Sequence, residues 1–181
     1  MSTLPKIELQ DATEAAAEAL NQVRKTLGSI PNMAKVMANS PALVRGWLAL
    51  SGALGDGVLS AGVRERLAIA TAEYNRCEYC LSAHTYLGAN VAKLDPEEIE
   101  LARDAESKDP HVTALLTLSD AIARGRGVVD PVLLADARTA GVTDAEIAEV
   151  VGNLALNVLT NYFNILADVE NEWPAVVPLK A

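Results

Sequence analysis

Positive charge is scarce in this chain: 15 lysines and arginines stand against 24 aspartates and glutamates, for a formal net charge of −9. A nucleic-acid binder must offset phosphate charge with a basic patch, and no Lys/Arg cluster occurs, which excludes nucleic acid as a partner. Cysteine is scarcer still. Cys77 and Cys80 are the two in 181 residues, so no second Cys-x-x-Cys exists to complete the usual closed zinc site. The first ten residues hold Pro5, Lys6 and Glu8 where a secretory signal would have an apolar run, and a cytoplasmic location is expected. In a reducing cytosol, two close cysteines point to catalysis, sensing or metal binding rather than to a structural staple. Strand signals are missing, and so is any repeat at a period of roughly 20–50 residues.

What is present is the punctuation of an all-α protein. Ser40-Pro41, Asp95-Pro96, Asp109-Pro110 and Asp130-Pro131 each place a capping side chain before a proline suited to the first helical position. Capping boxes read as Asp11 with Glu14, Asp95 with Glu98 and Thr143 with Glu146, while Gly28 and Gly141 suit helix ends. Helices are predicted at roughly 12–27, 41–54, 61–74, 77–93, 96–106, 110–124, 131–140 and 144–168, with a short one near 32–39. Leu43, Trp47, Leu50 and Leu54 recur at helical spacing, as do Ile147, Val150, Val151, Leu154 and Val158, and these stripes belong to a core.

No linker divides the chain, which predicts a single domain over 1–181 with its core at about 30–166. The end, 171–181, carries Pro174 and Pro178 and is expected to be extended, lying on a neighbour through Trp173 and Val176. Val150–Ala167 has no charged residue and is nearly long enough to span a bilayer. It also holds Gly152, Asn153, Asn157, Asn161 and Asn164, so a helix buried in protein or in a subunit contact is expected, and no membrane partner. The asparagines are expected to satisfy one another or water along a seam.

The chemistry concentrates in Cys77-Glu78-Tyr79-Cys80-Leu81-Ser82-Ala83-His84. On a helix the two cysteines are one turn apart, with Cα atoms about 5 Å apart, a span a disulfide can bridge. His84 lies four residues past Cys80, on the same face, where its imidazole can exchange a proton with that sulfur. A turn at Asn75-Arg76 starts a helix at Cys77, so the pair sits near unpaired N–H groups that favour a thiolate. If 61–74 and 77–93 form an antiparallel hairpin, Glu65 falls opposite Thr85 and close to His84. The expected order is then Glu65, His84, Cys80, with Glu65 orienting the imidazole and Glu73 as the rival carboxylate. His111 is expected at the surface, without a role.

These residues resemble the alkylhydroperoxidase D-like (AhpD-like) proteins of the carboxymuconolactone decarboxylase superfamily. The matching stretches are Ile30-Pro31-Asn32, Ser40-Pro41-Ala42-Leu43, Leu59-Ser60 with Arg64-Glu65-Arg66-Leu67, the Cys77-to-His84 cluster, and Asn161-Tyr162-Phe163-Asn164. The resemblance implies an all-helical fold that forms homo-oligomers, commonly trimers or hexamers. It also implies that Cys80 attacks a hydroperoxide, that Cys77 resolves the sulfenic acid into a disulfide, and that Glu65 and His84 relay protons. No bound cofactor or metal is implied; an external dithiol or a disulfide-reductase protein would restore the thiols. Tyr79 stands where the best-studied members carry a histidine. Decarboxylase members generally lack the paired cysteines.

The expected function is a thiol-disulfide oxidoreductase, a peroxidase acting on a small-molecule hydroperoxide. The alternatives are a redox-sensing or scaffold oligomer without turnover, and a decarboxylase-like lyase. At the level of single residues, the cysteines could form a structural disulfide worth roughly 2 kcal/mol for so short a loop. They could hold zinc with His84 and either His111 or a glutamate, or pack as small core residues, and Glu65 could lie on a solvated face.

Overall fold

The computed structural model describes residues 2–179, and over that range the chain is all-α. A 3-10 turn, Leu9–Asp11, precedes α1 (Glu14–Leu27), α2 (Asn32–Met37), α3 (Pro41–Gly55), α4 (Ala61–Asn75) and α5 (Glu78–Asn90). Then come α6 (Pro96–Arg103), α7 (Pro110–Gly125), α8 (Pro131–Thr139) and α9 (Asp144–Ala167). All four expected prolines open helices, each behind a Ser or Asp whose side chain accepts a first-turn backbone N–H.

The capping box at Thr143 and Glu146 forms reciprocally. Two other expected boxes do not. Asp11 is consumed by the 3-10 turn, and Thr13 caps α1 instead. Asp95 accepts from Glu98 N, but the Glu98 carboxylate is drawn away to Arg66 and to Ser107 Oγ and Lys108 N. Helices α5 and α6 stop at Asn90 and Arg103, short of the predicted 93 and 106, where Lys93 and Ala105 turn to positive φ.

Two apolar clusters fill the interior. One joins α1, α2, α3 and the start of α5 through Leu20, Val36, Met37, Val44, Ile69 and Leu81. The other joins α4, α7, α8 and α9 through Leu67, Leu115, Leu116, Ala137 and Val150. Helix α4 contributes to both, so it fixes the position of anything placed at its turn into α5. That turn is built by Arg76, which takes a left-handed conformation at φ 58 and lets Cys77 N donate to Ala72 O at 2.9 Å.

The tail does not need a neighbour. It crosses its own α5, where Asn171 Nδ2 and Val176 N donate to the fully buried Ser82 Oγ at 3.0 and 2.9 Å, and the Trp173 ring packs at a tilt against Tyr86. An inward-facing hydroxyl must find partners, and the tail's backbone supplies them. Residues 180 and 181 of the predicted tail lie outside the described residues.

Candidate active site

Helix α5 begins on the sulfur pair. Cys77 is its N-cap, and Cys80 N donates to Cys77 Sγ at 3.4 Å, so the cap is a thiol where a hydroxyl or carboxylate is customary. Both cysteines are free and almost wholly buried, at 1 % and 2 % exposure. They stand inside the first apolar cluster, and a polar group meets the sulfur of Cys80. Asn164 of α9 donates Nδ2 to Cys80 Sγ at 3.1 Å and to Met33 Sδ at 3.2 Å. Asn161, one turn earlier on α9, accepts from Asn75 Nδ2 at 3.0 Å, and its buried Nδ2 makes no hydrogen bond.

The α4–α5 hairpin brings in the acid–base pair as expected. Glu65 Oε2 lies 2.8 Å from His84 Nδ1, with both side chains about three-quarters buried. Gly88, one turn past His84, leaves room for Leu94, whose Cδ1 would stand 3.3 Å from a Cβ there. Glu73 does not serve the imidazole. It is 3 % exposed, bound to Arg103 Nε at 2.9 Å and accepting from Leu179 N at 2.6 Å, so it ties α4 to α6 and the tail.

The electrostatics separate the two thiols. Hydrogen bonding from Cys77 lowers the pKa of Cys80, burial opposes it, and the charge on His84 with the amides of Asn164 and Asn161 adds to the lowering. Cys77 is pushed the other way, first by that same hydrogen bond to Cys80 and then by burial. These shifts favour the thiolate at Cys80 and the thiol at Cys77. Burial works against a charged His84, but the Glu65 charge and hydrogen bond, with the Cys80 charge, raise its pKa overall. The resting pair is thus disposed toward thiolate and imidazolium.

Cys80, His84 and Glu65 all line one cavity of about 310 Å³, walled mainly by apolar side chains including Met33, Trp47, Leu87 and Trp173. Tyr79 closes one side. Its buried hydroxyl accepts from Met33 N at 3.3 Å and donates to Glu172 Oε1 at 2.9 Å, so it packs as a wall where a histidine would titrate. Burial raises its pKa, which keeps the phenol neutral. Among the described residues, no three His, Cys, Asp or Glu side chains gather in a way that could hold a metal ion. His111 is engaged elsewhere, with Glu146 Oε1 2.8 Å from its Nε2.

Of the four residues that the sequence singles out, Cys80, His84 and Glu65 line one cavity, and Cys77 caps the same helix one turn before Cys80. The asparagine stripe divides in a way that its spacing does not announce. Asn153 and Asn157 bond to backbone carbonyls within α9, as a seam would, but Asn164 turns to the sulfur and Asn161 to Asn75. Spacing puts all four on one stripe, and nothing in the stripe says which ones meet α5.

Comparison with known proteins agrees with this geometry. The carboxymuconolactone decarboxylase family model matches residues 41–107, the segment from α3 through α6 that carries Glu65, both cysteines and His84. A peroxidase-related protein from Ralstonia eutropha JMP134, described as an alkylhydroperoxidase AhpD core, superimposes with TM-score 0.82 at 23 % identity, over 94 % of this chain and 92 % of its own. The chain has the AhpD-like fold, and its α3–α6 segment carries the carboxymuconolactone decarboxylase family pattern. A peroxidase-related protein from Silicibacter sp. TM1040 matches with TM-score 0.78 at 20 % identity, over 93 % and 89 % of the two chains. The debrominase Bmp8, as a cysteine-to-alanine form in complex with 2,3,4-tribromopyrrole, matches with TM-score 0.77 at 15 % identity, over 95 % and 92 %. No curated protein matches the chain by sequence. The AhpD-like fold thus carries more than one chemistry, and function must be argued from the site.

Proposed function

We propose that this AhpD-like protein is a thiol peroxidase that reduces an organic hydroperoxide through Cys80 and Cys77. The observation that carries the reading is that Cys80 Sγ accepts an amide N–H from Asn164 and lines one largely apolar cavity together with the Glu65-held imidazole of His84. The Cys80 thiolate attacks the hydroxyl oxygen of the peroxide, the O–O bond breaks, and the departing alkoxide takes a proton from His84. Cys80 is then a sulfenic acid. Cys77 sulfur attacks it, the S–O bond breaks, water leaves with the thiol proton, and a Cys77–Cys80 disulfide remains. Glu65 holds the imidazole by Nδ1, so that its other nitrogen carries the transferable proton. An external dithiol takes up the disulfide and regenerates the thiols.

The same reading includes a cytoplasmic location and assembly into a trimer or hexamer. Val151, Leu159, Tyr162 and Leu166 leave one exposed apolar stripe on α9, which a second copy would cover.

The test is consumption of cumene hydroperoxide with dithiothreitol as regenerator. The wild type is expected to turn over, Cys80→Ser to lose activity, and Glu65→Gln to fall about 10- to 100-fold through a misoriented relay. A disulfide that forms without turnover would favour the redox-sensing reading. Product formation with both cysteines replaced by serine would favour the lyase.

A further inference from the structure

The two sulfurs face different spaces. Cys80 lines the apolar cavity it shares with His84 and Glu65, and Cys77 does not. Cys77 lines a second cavity of about 430 Å³ between the start of α5 and the end of α9, and Cys80 does not. Tyr79 lines both and is the partition between them, held in place by its bonds to Met33 N and Glu172. The second cavity has a different character, with Glu78, Asp168 and Glu170 set against Arg76 at its rim.

We propose that this second cavity is the docking site of the reducing thiol, which attacks Cys77 Sγ and expels Cys80 as the leaving thiolate. The proposal rests on the peroxidase reading above and adds that oxidant and reductant approach the sulfur pair from opposite faces. Thiol–disulfide exchange runs through a near-linear array of attacking, central and leaving sulfurs. A thiolate arriving on the Cys77 side has Cys80 behind its target, whereas one arriving through the apolar cavity would strike Cys80 and have to expel Cys77. The better leaving group is the sulfur whose anion is better stabilised, and that sulfur is Cys80, which receives the Asn164 amide.

The bonds balance. The reductant thiolate forms an S–S bond to Cys77 as the Cys77–Cys80 bond breaks, and the electron pair goes to Cys80. The second thiol of the same reductant then displaces Cys77 as a thiol and leaves as a disulfide, so the pair gains two electrons and the dithiol loses them. The rim carries three carboxylates against one guanidinium, so a neutral or cationic thiol is preferred over an anionic one.

The experiment oxidises the protein with one equivalent of cumene hydroperoxide, adds a single monothiol, quenches with iodoacetamide and locates the adduct by peptide fragmentation. The expected result is the monothiol on Cys77 and the alkyl group on Cys80. Cysteamine is expected to react at least tenfold faster than mercaptoethanesulfonate at low ionic strength, and Glu78→Gln is expected to narrow that ratio. Glu170→Trp fills the rim and loses only an exposed ion pair to Lys6. It is expected to slow reduction by dithiothreitol tenfold while oxidation, on the other face, keeps its rate. An adduct on Cys80, or both half-reactions slowed alike by Glu170→Trp, overturns the second docking site and leaves the peroxidase reading standing. Failure of the first oxidation to link the cysteines overturns the peroxidase reading itself, and this proposal with it.

Discussion

At the residue scale the decisive contrast is between two cysteines one helical turn apart whose surroundings shift their pKa values in opposite directions. A hydrogen bond between them lowers Cys80 and raises Cys77, and the α9 amides and His84 add to the lowering on Cys80 alone. Because the folded-state pKa of Cys80 lies below that of an unfolded thiol, its thiolate stabilises the fold above the unfolded pKa. That contribution is lost as pH falls through the folded value. The rate of Cys80 alkylation against pH is therefore expected to rise with a midpoint below the ordinary thiol value of about 8.5. Asn164→Leu removes a hydrogen bond to a charged group, worth about 1.5–3 kcal/mol, and is expected to move the midpoint up by roughly one pH unit or more. An unmoved midpoint would mean that the amide does not hold the thiolate. The sequence showed the cysteines and His84 plainly, because their spacing is local. It did not show Asn164 acting on sulfur, because that contact joins residues 84 positions apart.

At the scale of elements, the α4–α5 hairpin was legible from the sequence in both its turn and its consequence. Glu65 meets His84 because two antiparallel helices share a fixed register outward from Arg76. The helix starts were legible for a similar reason: each Asp-Pro or Ser-Pro pair carries its cap and its fixed φ together. Helix ends and the tail were less so. Ends depend on where a residue can turn left-handed, as Lys93 and Ala105 do, and the tail's place depends on the buried Ser82 hydroxyl that it satisfies. Glu73, the rejected carboxylate, belongs to this scale. Its ion pair with Arg103 is nearly dry, so Glu73→Ala leaves a buried guanidinium without that partner, at a cost of about 3–5 kcal/mol in urea unfolding. The Glu65–His84 pair does not touch it, so hydroperoxide turnover below the melting temperature is expected to persist. Loss of turnover in a folded Glu73→Ala protein would place Glu73 back in the relay.

At the scale of the whole molecule, α9 links the fold to the chemistry. It is 24 residues long and apolar enough by composition to cross a membrane, but its buried face carries Asn153, Asn157, Asn161 and Asn164. Two of those amides end at the sulfur site or its supporting turn, which a lipid-facing helix could not arrange. The architecture therefore holds the cysteine pair between the N-terminus of α5 and the Asn164 amide of α9, beside a largely apolar cavity. What this arrangement is proposed to do is join Cys80 to Cys77 at the expense of a peroxide bond. The most direct measurement is the intact mass and peptide map of the reduced protein after one equivalent of cumene hydroperoxide, in the wild type and in Cys77→Ser. The account predicts loss of two hydrogens with a Cys77–Cys80 link in the wild type, and a dimedone-reactive sulfenic acid at Cys80 in the variant. An unchanged wild-type mass, or a sulfenic acid that forms on Cys77 when Cys80 is replaced by serine, would contradict it.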